Sequence, residues 1–200
     1  MTAPLRLILA SRSPRRRELL ALTGIPFETA SVDIDETFNP KLSVEENVTE
    51  ISRQKADAVR NSLLLPVGQA VVLGSDTTVI LDGAPLGKPV DAEHAFRMLS
   101  GLQGRTHEVL TGFCVLHGNE AIPGHARTIV EFEPIPDAEI SRYIELMKPF
   151  DKAGSYGIQD PMLACFVKRI DGCYYNVVGL PLSRVYAALK PLFPFPPSRP

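Results

Sequence analysis

The sequence has no G-x-x-x-x-G-K-[S/T] loop and no G-x-G-x-x-G turn. That excludes the two commonest glycine-rich phosphate cradles, the P-loop and the dinucleotide-binding βαβ unit. It has no G-x-S-x-G elbow either, so a serine nucleophile of the α/β-hydrolase kind lacks its seat. Cysteine is scarce: Cys114, Cys165 and Cys173 are odd in number and form no C-x-x-C pair. This argues against a disulfide framework and a zinc site, and reduced, mostly buried thiols of a cytoplasmic protein are expected. Cys114 and Cys165 fall in apolar runs and read as core residues on strands. Charge of one sign is also missing. The net charge is −2, and no basic stripe with interleaved aromatics stands out, which argues against a partner made of polymeric nucleic acid. No apolar run approaches the length of a membrane span. The run from Leu5 to Ala10 is broken by Arg6 and is too short for a signal-peptide core. No membrane attachment and a cytoplasmic location are the expectation. There is no internal repeat.

What is present suits a folded domain. Of 200 residues, 44% are apolar, enough for a real core. Residues 1–190 read as one domain. Residues 191–200 are proline-rich and are expected to fray or drape over the surface. The most telling stretch runs from Leu7 to Leu20. It begins as a short buried strand, turns through Ser11, Arg12, Ser13 and Pro14, and continues into a helix bearing Arg15, Arg16 and Arg17. Ser13 suits an N-cap and Pro14 the first helical position. Arginines there oppose the positive end of the helix dipole unless an anion offsets them, so the turn is a candidate seat for a polyanion. A solvated basic turn is the plainer alternative.

Along the chain, Phe27 to Val32 reads as a second strand, with an acidic cluster Asp33, Asp35 and Glu36 at its end. Ser43 and Glu46 form a capping box that opens a helix to about Val59, carrying Lys55. Ala70 to Leu73 reads as a buried strand ending in Gly74-Ser75-Asp76-Thr77, and a short strand over Thr78 to Leu81 leads to an Asp82-Gly83 turn. Helices are expected over Ala92 to Leu99, Pro136 to Met147 and Gly179 to Lys190. Strands are expected over Glu108 to Leu116 with a break at Thr111-Gly112, over Ala126 to Glu133, over Cys165 to Ile170 and over Tyr174 to Val178. Mixed strands and helices with at least two antiparallel hairpins predict an α/β fold with a mixed, curved sheet rather than a doubly wound parallel one.

Polar clusters recur where strands end: Ser11, Ser13, Arg15 and Arg16; Asp33, Asp35 and Glu36; Ser75, Asp76 and Thr77 with Lys88 behind; and Lys152, Ser155, Tyr156 and Gln159. Strand ends of α/β sheets are where ligands bind. Such a set supports phosphoryl transfer to water. Arginines and lysines neutralise phosphate oxygens, carboxylates hold a divalent cation such as Mg²⁺, and one carboxylate activates the water. Asp76 is the best candidate for that last role. Each residue also has a plainer reading: Asp76 as a turn residue, the acidic cluster as a solvated loop, Lys88 as a surface lysine. His107 reads as a satisfied polar residue or, less favourably, a catalytic one.

Eight segments occur in order: Leu9 to Leu20, Asp35-Glu36, Lys55-Ala56, Gly74 to Thr77, Gly87 to Pro89, Thr106 to Gly112, Asp151 to Gln159, and Asn176 to Pro181. Together they resemble the Maf family of nucleoside triphosphate pyrophosphatases. The resemblance implies an inosine-triphosphatase-like α/β fold with two lobes around a central cleft, a homodimer, and hydrolysis of a nucleoside triphosphate to monophosphate and pyrophosphate with a divalent metal, Mg²⁺ or Mn²⁺. By the same resemblance Asp76 is the proton acceptor, and Arg15, Thr77 and Gln159 select the substrate. Ser13, Arg16, Lys55 and Lys88 are implied phosphate contacts, and Glu36 with Asp76 implied metal ligands. The loop ending in Gln159 is similar to the dTTP/UTP branch. A glutamine amide offers a donor and an acceptor to the O4/N3–H edge of uracil or thymine; alternatively Gln159 only ties its loop. The 7-methyl-GTP branch, and a nucleotide-binding regulator of septum formation, are the alternatives. Two departures stand out. Ser75 replaces a commoner alanine, and Asp160 replaces a commoner glycine, adding a negative charge beside the expected base pocket.

Overall fold

A computed structural model describes residues 4–63 and 68–193. The expected proline-rich tail lies outside the described residues from 194 onward. The strands are β1 (Arg6–Ala10), β2 (Phe27–Ala30), β3 (Ala70–Leu81), β4 (Ala84–Leu86), β5 (Thr106–His117), β6 (Glu120–Phe132) and β7 (Val167–Asp171). The helices are α1 (Pro14–Ala21), α2 (Val44–Ser62), α3 (Ala92–Leu102), α4 (Asp137–Met147), α5 (Tyr174–Val178) and α6 (Leu182–Leu189). The strands form one open seven-stranded sheet in the order β2-β1-β3-β5-β6-β7, with β4 on β3. β1 is parallel to β2 and β3, whereas β3–β4 and β6–β7 are antiparallel. The mixed α/β class expected from the sequence is what the chain adopts.

The chain divides into two compact units: residues 1–76, 111–125 and 179–200, and residues 77–110 and 126–178. In the first unit β1 is buried on both faces, as a strand with parallel neighbours on either side must be. Its register aligns Ala10 with Ala30 on β2 and with Gly74 on β3. The carboxyl ends of β1 and β2 therefore stop level with Gly74. Helix α2 lies directly on this sheet. A Cβ on Gly74 would stand 2.0 Å from the Ser52 carbonyl oxygen, and one on Gly112 would stand 2.5 Å from that of Val48. Two mid-strand glycines thus let a helix backbone touch a sheet backbone. Ile8, Ala56, Val59, Val72, Cys114 and Leu116 close the core around that contact.

In the second unit, α3 packs on α4 and on a 3₁₀ turn at Ala153–Ser155. The β3–β4 hairpin turns through Asp82 and Gly83, both at positive φ, the geometry that the Asp-Gly pair favours. His107, Phe132 and Tyr156 meet edge to face with ring centroids 4.9–5.4 Å apart.

Four local expectations need correction. β3 runs unbroken through Gly74 to Thr77, so Asp76 sits within a strand, not in a turn. β5 is likewise unbroken at Thr111-Gly112. In both places the small residues admit α2 rather than end the strand. Residues 174–178 form a helix, not a strand. Five residues, four of them apolar, cannot decide between the two, and here the Thr128 hydroxyl accepts from Asn176 Nδ2 and bonds the Cys173 backbone N–H and carbonyl, fixing a turn. Cys165 is exposed on a 3₁₀ turn, Leu163–Phe166, and not in the core; Cys114 is buried as expected.

Candidate active site

The first unit assembles a charged cluster at the carboxyl ends of β1 and β2 and beside Asp76 of β3. Gly74 sets the depth of α2. Lys55, one helical turn beyond Ser52, therefore reaches the strand position two residues beyond Gly74. Its Nζ donates to Asp76 Oδ1 at 2.6 Å and stands 3.1 Å from Glu36 Oε1. The Lys55 and Asp76 side chains are 13% and 11% exposed, and that of Glu36 is 40% exposed. Two carboxylates thus converge on one cation, with Asp76 held deeper.

The arginine turn completes this cluster. Ser13 caps α1, its Oγ accepting from the Arg16 backbone N–H at 3.4 Å, and Ser11 Oγ accepts from the Ser13 N–H at 3.1 Å. Arg16 Nε donates to the Gly179 carbonyl at 2.8 Å. Burial pushes the Arg16 pKa below its ordinary value. Asp76 and Glu36 oppose that shift and Arg15 adds to it, which places all three within electrostatic reach of Arg16. Of the acidic cluster only Glu36 joins. Asp33 pairs with Arg12 at the surface, and Asp35 accepts from the Thr37 N–H and hydroxyl. Arg17 is exposed.

Thr77, Lys88 and Gln159 belong to the second unit. Thr77 follows Asp76 in β3 and is half-buried; Lys88 and Gln159 are exposed. The Gln159 loop is firmly built. The Gly154 N–H donates to the Gly87 carbonyl at 3.0 Å, and a Cβ on Gly154 would meet the Val79 side chain at 2.8 Å. Tyr156 Oη and His107 Nε2 are 2.7 Å apart. Burial lowers the His107 pKa to about 4 and pushes the Tyr156 phenol well above its usual range, so both are neutral near pH 7. His107 is thus a buried hydrogen-bonding residue of the loop's support. Asp160 does not point its charge at open space: it is 8% exposed, bonded by Tyr143, and 3.3 Å from Lys152 Nζ.

Sequence reasoning missed one part of the cluster and the role of another. The missed part is the Gly179 carbonyl, which accepts from Arg16. Ser75 stands out in the sequence, but its bonding does not: its Oγ donates to the Gly112 carbonyl at 2.9 Å and stands 3.3 Å from the same Gly179 carbonyl. The serine is therefore not a neutral stand-in for alanine: it ties β3 to β5 beside the residue that anchors Arg16. A main-chain acceptor carries no side-chain signal, so only the fold could expose it.

Among the described residues no group of three or more His, Cys, Asp or Glu stands ready to hold a metal. Two carboxylates, however, suit Mg²⁺, which is usually held by one or two of them together with substrate phosphates. Glu36 and Asp76 already approach one cation, the Lys55 ammonium, closely enough to share it. The donor set fits a hard divalent ion.

The family described as Maf-like protein matches residues 6–192. A protein of Chlorobaculum parvum named dTTP/UTP pyrophosphatase is 72% identical over 199 residues, covering all of both chains. One of the same name from Chlorobaculum tepidum is 74% identical, covering 97% of this chain and 98% of its own. A third, from Pelodictyon phaeoclathratiforme, is 52% identical, covering 92% of this chain and 96% of its own.

Proposed function

From the chain's membership of the Maf-like protein family, we propose that it hydrolyses dTTP and UTP to the monophosphate and pyrophosphate. The observation that carries the chemistry is the Lys55–Asp76–Glu36 constellation beside Arg16. Water attacks the α-phosphorus, its proton passes to Asp76, and the α–β bridging oxygen leaves with pyrophosphate. Lys55 holds the Asp76 carboxylate in one orientation, as a positioned base requires. Arg16 and the Ser13 hydroxyl bind phosphate oxygens, with Lys55 and Lys88 as further phosphate contacts. Glu36 and Asp76 would hold Mg²⁺ or Mn²⁺, which when bound neutralises phosphate charge. Arg15, Thr77 and Gln159 select the base, Gln159 through its paired amide donor and acceptor. Residues 1–190 act as one functional domain.

Cytoplasmic placement is supported by the unpaired cysteines. No described helix is long and apolar enough to cross a membrane. The family resemblance supports a homodimer.

The test is incubation of pure protein with Mg²⁺ and a nucleotide panel, with separation of products. Monophosphate and pyrophosphate from dTTP and UTP are expected. Orthophosphate release would reject α–β cleavage, and faster turnover of 7-methyl-GTP would move the chain to that branch. A division phenotype that survives in Asp76→Asn would favour the regulator of septum formation.

A further inference from the structure

We infer that Asp160 is the positioning residue for Gln159, and through it for the choice of base; this rests on the reading of Gln159 given above. The relevant segment opens at Lys152 and closes at Asp160, and its two ends are stapled together. Lys152 Nζ stands 3.3 Å from Asp160 Oδ2, and its other carboxylate neighbour, Asp151 at 3.3 Å, is largely exposed. Tyr143 Oη, reaching in from α4, donates to the same Asp160 oxygen at 2.7 Å. The same hydroxyl accepts from the Gly157 N–H at 3.3 Å.

The turn that displays Gln159 is therefore held from both sides. The Asp160 N–H donates to the Gly157 carbonyl at 3.0 Å, and the Ala164 N–H donates to the Asp160 carbonyl at 3.1 Å. The Asp160 carboxylate folds back over Gly157 so closely that a Cβ there would meet it at 2.6 Å. Gln159, between these tied residues, is left exposed. A buried carboxylate is tolerated only when paired and hydrogen-bonded, and Asp160 has both kinds of partner. A neutral residue at 160 would remove the charge that pairs with Lys152 and weaken the bond that Tyr143 donates, because a hydrogen bond to a carboxylate is stronger than one to an amide oxygen. An amide that reads a base by one donor and one acceptor discriminates only while its backbone is fixed, because ångström displacements spoil both bonds. The charge of Asp160 is thus turned inward to hold the loop.

The full chain with Mg²⁺ decides this, using kcat and KM for dTTP, UTP and GTP in Asp160→Asn, Tyr143→Phe, Gln159→Ala and the Asp160→Asn/Gln159→Ala pair. Asp160→Asn is expected to lower the dTTP-to-GTP ratio of kcat/KM about tenfold, through KM for dTTP, with kcat within about twofold. Tyr143→Phe shifts the ratio in the same direction, and Asp160→Asn adds nothing once Gln159 is alanine. A ratio unchanged in Asp160→Asn while Gln159→Ala collapses it overturns the inference. So does an equal loss of kcat on all three nucleotides, which marks a merely structural role. A ratio untouched by Gln159→Ala overturns the reading of Gln159 itself. Should Asp160→Asn fail to fold, Tyr143→Phe decides by the same criteria, because it leaves the Lys152–Asp160 pair in place.

Discussion

Asp76 and Lys55 form a close pair in the charged cluster, 2.6 Å apart, and their low exposure makes the pair sensitive to substitution. Asp76→Asn keeps shape but removes the proton acceptor. Turnover should fall by about 10³, within the range for loss of a positioned base, while nucleotide binding measured by calorimetry persists. Binding lost together with turnover would assign Asp76 to affinity instead. A second residue-scale prediction concerns His107. Its pKa falls from 6.5 to about 4 on burial, so between those values the unfolded chain holds the extra proton. Stability is full above about pH 6.5 and is lost as pH falls toward 4, by about 3 kcal/mol for this group. Urea unfolding across that window should show the loss in the parent and a smaller one in His107→Gln, which has no group to titrate. The cysteines differ for a related reason. Burial raises the Cys114 thiol to about 11, whereas Cys165 is exposed. A thiol reagent on the native protein should label Cys165 rapidly and Cys114 only after unfolding.

Among the elements, α2 matters most, because it carries Lys55 and its height above the sheet decides whether Lys55 meets Asp76. That height is set by Gly74 and Gly112. Gly74→Ala would place a methyl 2.0 Å from the Ser52 carbonyl oxygen, so α2 must lift. We expect a stability loss of about 3 kcal/mol, at the upper end for overpacking, together with loss of turnover. A variant that keeps full turnover would show that the helix does not set the Lys55 position. The other end of α2 separates stability from function. Its capping box is complete, the Ser43 Oγ accepting from the Glu46 N–H and the Glu46 carboxylate from the Ser43 N–H. Ser43→Ala should cost about 1 kcal/mol in urea unfolding and leave kcat unchanged. Comparing the two variants assigns the glycine effect to placement of Lys55 rather than to helix stability at large.

For the whole molecule, near-neutral charge and a mixed sheet leave recognition to a local cationic cluster, not to a field spread over the surface. Affinity for a triphosphate should then show as ligand-linked stability. With Asp76→Asn preventing turnover, dTTP at 100 times its Kd should raise Tm by about 5–10 °C, from about 2.7 kcal/mol of linkage in a chain of this size. A polynucleotide at physiological salt should give no shift. An equal shift from dTTP and from pyrophosphate alone would show that the base contributes nothing to binding, against the roles given to Arg15, Thr77 and Gln159.

The amino-acid sequence alone determined the element types where their signals are local. The Ser43 and Glu46 box opened α2 where expected, Asp82-Gly83 made its hairpin, and Ser13-Pro14 began α1. Short-range capping and turn chemistry need only neighbouring residues, so they can be read directly. The order of the charged segments likewise pointed to the family. Tertiary structure alone decided what required two distant segments at once. It made Gly74 and Gly112 contact points inside unbroken strands, turned 174–178 into a helix, and put Cys165 at the surface. It joined Glu36, Lys55 and Asp76 and sent Arg16 to the Gly179 carbonyl, 163 residues away. Backbone approach and main-chain acceptors leave no side-chain pattern, and the pairing of a charge depends on which element packs against it. Those are properties of packing, and composition and spacing do not contain them.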